Sequence, residues 1–218
     1  VSASHCGPAH PCRLTDVPAS TGYGEQIQKL FKLKDGEKIV SALSLDPRVT
    51  TDIEPKKEGQ EPRTQGLAVT SDGYSLRFGL SGFVEPSTRA GRKFARPAAG
   101  KEVIGVEVYH GDEIIIAATY QGRAMLCKAK EVNFLSGPGK GVILIKLAKD
   151  DRVIGFKASL GDRDFITVET SRGGTQNIST AKYEITGRGG KGREIIKRGT
   201  LNKVVADDPM APVMMDED

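Results

Sequence analysis

The sequence predicts an all-β, propeller-like array of about four blades, each a four-stranded repeat of about 50 residues. Three observations carry this. Short apolar runs alternate with turn signals at the close spacing of all-β domains. The stretch from Lys101 can be laid over the stretch from Asp151 through some 40 positions. A turn rich in glycine and cations recurs about every 50 residues. No stretch sustains a helical period with caps.

The densest turn is Thr186-Gly187-Arg188-Gly189-Gly190-Lys191-Gly192-Arg193, with four glycines and three cations in eight residues. Glycine admits φ > 0 and the close approach of a second backbone. Successive turn amides can form an anion-binding concavity, to which cations add charge. Ser136-Gly137-Pro138-Gly139-Lys140-Gly141 lies 51 positions earlier, with Lys140 opposite Lys191. Thr88-Arg89-Ala90-Gly91-Arg92-Lys93 precedes it by about the same interval, and Ser20-Thr21-Gly22-Tyr23-Gly24 is a weaker fourth copy.

Taken in order, residues 1–11 read as an irregular edge. His5-Cys6 and His10-Pro11-Cys12 match no common zinc spacing. Cys12 to Pro18 leads into the first turn, and Ile27 to Leu33 alternates loosely, as a strand does. Asp35-Gly36 is a turn signal before the strand Lys38–Leu43. Asp46 to Gln65, with three prolines and no apolar pattern, reads as a long exposed loop. Leu67–Thr70 and Tyr74–Phe78 flank Asp72-Gly73 as a hairpin.

The next two units superpose. Lys101-Glu102-Val103-Ile104-Gly105-Val106 matches Asp151-Arg152-Val153-Ile154-Gly155-Phe156, and Gly111-Asp112 matches Gly161-Asp162. Ile114–Ala117 faces Phe165–Val168, Gly122 faces Gly173, and Ala124–Cys127 faces Thr175–Ile178. Val103, Ile104, Ile115, Ala117, Val153, Ile154, Ile166 and Val168 are core candidates, and Cys127 is a small buried apolar group rather than a nucleophile. Neighbouring units must stack, because one unit cannot bury both of its faces. The count is three nearly whole blades and a remainder, with strands from both ends available to complete a fourth.

Charge points to a polyanionic partner. From residue 206 onward the tail carries five acids and no cation, so the net +4 of the whole chain is +9 in the body. That tail, 206–218, is expected to be disordered. No apolar run approaches the length that crosses a membrane. Three cysteines fit a reducing cytoplasm better than a disulfide framework. The chain opens on Val1 rather than Met and reads as a fragment or cut product.

These residues resemble the C-terminal β-pinwheel domain of bacterial type IIA topoisomerase A subunits, in DNA gyrase and topoisomerase IV. Gly187-Arg188-Gly189-Gly190-Lys191-Gly192 is similar to the core of the gyrase A-box; Thr186 and Gly187 stand where that signature has Gln and Arg. Lys149–Gly155, Leu67–Phe78 and Asp16-Val17-Pro18 are also similar, and the resemblance covers roughly residues 12–205. The best box lies in the last repeat here, whereas the gyrase box belongs to the first blade; degenerate boxes elsewhere are more like topoisomerase IV.

The resemblance implies a non-catalytic module that binds and bends double-stranded DNA around its outer rim. It also implies a parent enzyme with a B subunit, using ATP and Mg2+ through other domains, in the bacterial cytoplasm with the nucleoid. The candidate DNA contacts are Arg89, Arg92, Lys93, Lys140, Arg188, Lys191 and Arg193, on turns shaped by Gly137, Gly139, Gly141, Gly187, Gly189, Gly190 and Gly192. Lys128, Lys130, Lys182, Lys197 and Arg198 extend the track. No cofactor or metal is expected in this chain. No tyrosine follows an arginine as in the family's cleavage site, and no turn ends in the Gly-Lys-Ser/Thr of a phosphate-binding loop. The alternative is a propeller-type protein-interaction scaffold without DNA affinity.

Overall fold

The computed structural model describes residues 1–17, 24, 26–86, 88–161 and 163–205. The acidic tail, most of the first glycine turn and Asp162 lie outside them. In chain order the strands are β1 (Ser2–Ser4), β2 (Pro8–His10), β3 (Ile39–Ala42), β4 (Gln65–Thr70), β5 (Tyr74–Gly79), β6 (Arg92–Lys93), β7 (Val103–Tyr109) and β8 (Ile114–Thr119). They continue as β9 (Arg123–Lys128), β10 (Phe134–Leu135), β11 (Val142–Ile143), β12 (Val153–Ser159), β13 (Phe165–Thr170), β14 (Thr175–Ser179), β15 (Arg193–Glu194) and β16 (Leu201–Val205). The α-helix among the described residues is the single turn α1 (Ile27–Leu30).

The strands form four sheets: β3-β1-β2-β6, β7-β4-β5 with β10 and β11 both against β5, β12-β8-β9-β15, and β16-β13-β14. Each blade is built on an antiparallel hairpin. The first hairpin strand pairs with an inner strand; β3, β7, β12 and β16 pack on one another from blade to blade. In the first three blades the second hairpin strand pairs with a two-residue outer strand taken from the glycine turn of the next repeat. Thus β6 leaves the second hairpin to complete the first blade, β11 leaves the third to complete the second, and β15 leaves the fourth to complete the third.

Burial follows the stacking. On β8, Ile115 and Ala117 join a core with Leu67 and Val69 of the second blade, while Ile116 and Ala118 join a core with Ile166 and Val168 of the fourth. A sheet covered on both faces reads as the unbroken run Ile114-Ile115-Ile116-Ala117-Ala118. On β13 only Ile166 and Val168 are buried, and Phe165 is 40 % exposed. One covered face gives strict alternation. Each large aliphatic side chain so buried contributes about 1.5–3 kcal/mol.

Three expectations are corrected. Residues 1–11 are not irregular: β1 and β2 are the first blade's hairpin, whose Ala3 and Ala9 pack on Ala68 and Leu76 of the second. Ile27–Leu30 is a helical turn, not a strand, closed by Phe31 N–H donating to the Ile27 carbonyl at 3.0 Å. The corresponding segments of later repeats pair with a preceding hairpin; among the described residues no hairpin pairs with this one, and its amides bond within the turn. No N-terminal strand completes the fourth sheet among the described residues; it has three strands, all from 165–205.

Candidate nucleic-acid interface

The three glycine turns that carry outer strands share one geometry. Arg92 pairs with Ala9, Val142 with Ser75, and Arg193 with Ala124. The residue just before each is glycine with positive φ: Gly91 at 71°, Gly141 at 82° and Gly192 at 67°. A Cβ at any of them would run into the carbonyl oxygen of Ala9, Ser75 or Ala124. The spacing therefore requires glycine twice over, for its backbone angle and for its lack of a side chain.

Beyond the outer strand, the N–H groups of Phe94, Leu144 and Ile195 donate to the hairpin carbonyls of Gly7, Gly73 and Gly122 at 2.9, 2.8 and 2.9 Å. Two residues after Phe94 and Leu144, Arg96 N–H donates to Gly139 O and Lys146 N–H to Gly190 O, both at 2.8 Å. The turns are thereby bonded in sequence along the outer edge of the blades.

Most of the expected cations are engaged within the protein. Arg188 donates from Nε to the Glu131 carbonyl at 2.7 Å and from Nη1 to the Ile143 carbonyl at 3.1 Å, while its N–H meets the Glu131 carboxylate at 3.1 Å. Arg89 donates to the carbonyls of Gln28 and Lys29, and Arg92 to that of Gly82. Arg193 pairs with Glu184 at 3.0 Å. Lys140 lies 3.6 Å from Asp72 and 3.8 Å from the Tyr74 ring centroid. Lys93 and Lys191 are exposed and have no side-chain partner among the described residues.

Of the turn glycines, Gly141, Gly189 and Gly192 adopt positive φ, whereas Gly137, Gly139, Gly187 and Gly190 do not. Gly139 and Gly190 instead supply the carbonyls that join turn to turn.

Sequence reasoning missed Arg77. Its buried guanidinium donates to Val132 O and Gln65 Oε1, both at 2.7 Å, reaches Glu61 at 3.0 Å, and lies over the Tyr109 ring. It ties the long loop to the second blade, and nothing in the run Leu76-Arg77-Phe78 marks it. Cys127 is fully buried, and burial pushes its thiol up to about 12, as suits a packing residue. Among the described residues no His, Cys, Asp or Glu side chains cluster as a metal site, and no helix is long and apolar enough to cross a membrane.

The family model of the DNA gyrase C-terminal domain, a β-propeller, matches residues 12–46, 67–96, 113–159 and 170–203. The chain belongs to this family. Among its relatives, the DNA gyrase A subunit of Aminobacterium colombiense is 25% identical over 177 residues, covering 81% of this chain and 20% of the relative. The DNA topoisomerase 4 A subunit of Bacillus subtilis is 33% identical over 107 residues, covering 48% of this chain and 13% of the relative. The chain therefore spans about a fifth of the gyrase relative it matches. In fold it is similar to the crystal structure of a topoisomerase IV C-terminal domain, with TM-score 0.80 at 18% identity over 95% of this chain and 63% of that one. The E. coli ParC C-terminal domain gives 0.69 at 16% identity, over 95% and 80%. The fold is the β-pinwheel, and the chain is a module of a type IIA topoisomerase A subunit.

Proposed function

We propose that this chain binds the backbone of double-stranded DNA along its outer rim and bends it, as the DNA-wrapping part of a topoisomerase A subunit. The observation that carries the reading is the repetition of one cation-bearing glycine turn on the outer edge of successive blades, in a member of the gyrase C-terminal family. Bending a 20–30 bp site costs about 1–6 kcal/mol. Phosphate neutralisation at several points along an arc offsets that cost without reading bases. The whole enzyme, with its B subunit, with ATP and Mg2+ in other domains, would act in the bacterial cytoplasm.

The test is binding of the chain to linear duplex DNA as a function of salt. A steep negative dependence of log K on log salt is expected. Replacing both Lys93 and Lys191 by alanine should make the slope shallower by about 2, near 0.9 for each phosphate no longer neutralised. Absence of binding at low salt would overturn the reading and leave a protein-binding scaffold.

A further inference from the structure

The segment just past each outer strand, and the matching segment at the end of α1, carries a cation that repeats more faithfully than the turns themselves. Leu30-Phe31-Lys32, Phe94-Ala95-Arg96, Leu144-Ile145-Lys146 and Ile195-Ile196-Lys197 share one pattern, two apolar residues and then a cation. The structure makes the first three equivalent. Lys32 N–H donates to Arg89 O, Arg96 N–H to Gly139 O and Lys146 N–H to Gly190 O, each at 2.8 Å. The acceptor lies in the next glycine turn in all three. The middle residue is inward: Phe31, Ala95 and Ile145 are all buried. Four residues after each cation the chain turns with positive φ, at Gly36, Gly100 and Asp150. Lys197 extends the set, since Ile195 makes the bond to Gly122 O that Phe94 and Leu144 make to Gly7 O and Gly73 O.

All four side chains are exposed, and none has a hydrogen bond, ion pair or ring contact among the described residues. The contrast with the turn arginines is sharp. Those hold carbonyls and carboxylates of their own fold, so each must break an internal contact to reach a ligand. Among the described residues these four have nothing to break. The main chains of the first three are fixed by the bond to the next turn, so their Cα positions repeat with the step from blade to blade. Lys and Arg are 32 of 218 residues, so composition does not account for a cation at all four places. Nor do internal polar contacts, because the charged groups make none among the described residues.

We infer that Lys32, Arg96, Lys146 and Lys197 form the phosphate-contacting row of the rim, one cation per blade junction. On this assignment the glycine-turn arginines act chiefly as staples that hold the row in place. This rests on the DNA-binding reading above and names the residues that carry it out. The partner is a nucleic acid duplex, whose phosphates recur along a smooth arc and carry no sequence information to a row of point charges.

The test compares K32S/R96S/K146S/K197S with a charge-matched control, K56S/K57S/R63S/K101S, whose cations are equally exposed but lie in the long loop and before β7. Both are titrated with linear duplex DNA across salt, and far-ultraviolet circular dichroism checks folding. The row variant is expected to lose about 3–4 from the salt slope, and the control less than half of that. Equal losses, or an unchanged slope in the row variant, would overturn the assignment while leaving DNA binding intact. Weak, salt-insensitive binding by the unmodified chain would instead overturn the DNA reading itself. A second measurement needs no variant. DNA should shield Lys32, Lys146 and Lys197 from amine acylation more than Lys56 and Lys57, and equal acylation with and without DNA would overturn the assignment.

Discussion

Gly141 faces the carbonyl of Ser75 so closely that no side chain fits between the second glycine turn and the blade it completes. The same contact joins Gly91 to Ala9 and Gly192 to Ala124. Replacing Gly141 by alanine adds a strained left-handed backbone to a clash with a main-chain atom, which cannot swing away. We expect a loss of about 2–4 kcal/mol in urea unfolding. Gly137→Ala, in open space at ordinary φ, should stay within about 0.5 kcal/mol. Equal costs at the two sites would mean that the contact is not what the turn requires.

Arg188→Ala should act on folding first. It strips a donor from the Glu131 and Ile143 carbonyls, at a cost of about 1–3 kcal/mol. Arg188→Lys should recover only part of this, because an ammonium cannot reproduce the guanidinium's two-directional donation. Lys191→Ala should leave the melting temperature unchanged and make the DNA salt slope shallower. Thermal melts and DNA titrations on the three variants separate the roles; a larger melting loss for Lys191→Ala than for Arg188→Ala would reverse them.

His10 is almost wholly buried against Phe31, and neither ring nitrogen makes a well-formed hydrogen bond among the described residues. Burial holds its pKa below the usual 6.5, against the Glu37 carboxylate and the Arg89 carbonyl, which both favour the charged ring. The folded state therefore favours the neutral ring, so stability is present above 6.5 and is lost as pH falls below it. His10→Phe keeps the ring contact and removes two unsatisfied nitrogens. Its melting temperature should exceed that of the unmodified protein at pH 7, and the gap should widen at pH 5. A gap that narrows on acidification would contradict the sign.

Glu107 is the opposite case. Burial raises its pKa above 4.5, while the Ala158 N–H, donating at 2.7 Å, works against the shift. A raised carboxyl favours the folded state below 4.5, and that advantage disappears as pH rises through the folded value. Glu107→Gln keeps an acceptor for Ala158 and discards the charge. It should raise the melting temperature by about 1–3 °C at pH 7 and by much less at pH 4. A constant difference across that range would rule the titration out.

The repeat was legible because burial on one face or both leaves a plain record in the apolar residues. The apolar run at 114–118 and its partner at 165–168 sit at one offset, and of the core candidates they mark, Val103, Ile115, Ala117, Val153, Ile166 and Val168 are buried while Ile104 and Ile154 are partly so. The exchange of outer strands was not legible. Arg92-Lys93, Val142-Ile143 and Arg193-Glu194 are too short for any periodicity, and their partners lie more than one repeat length away. The first hairpin is hard to read because Ser2-Ala3-Ser4 and Pro8-Ala9-His10 bury two alanines, a serine and a histidine rather than large apolar side chains. The glycine turns were seen, but glycine density drew attention to their arginines. The cation just beyond, at Arg96 and Lys146, carried the same 50-residue offset as the core and could have been found by it.

Because every outer strand belongs by sequence to the repeat after the blade it completes, the covalent and spatial boundaries of this molecule are out of phase. No single scission frees one whole blade: a break at Gly100 leaves the second hairpin without β7, and a break after Ser136 leaves it without β11. A protease nick in one connection therefore loosens two neighbours together. Transplanting a blade into another protein means choosing segments that are not contiguous in the gene.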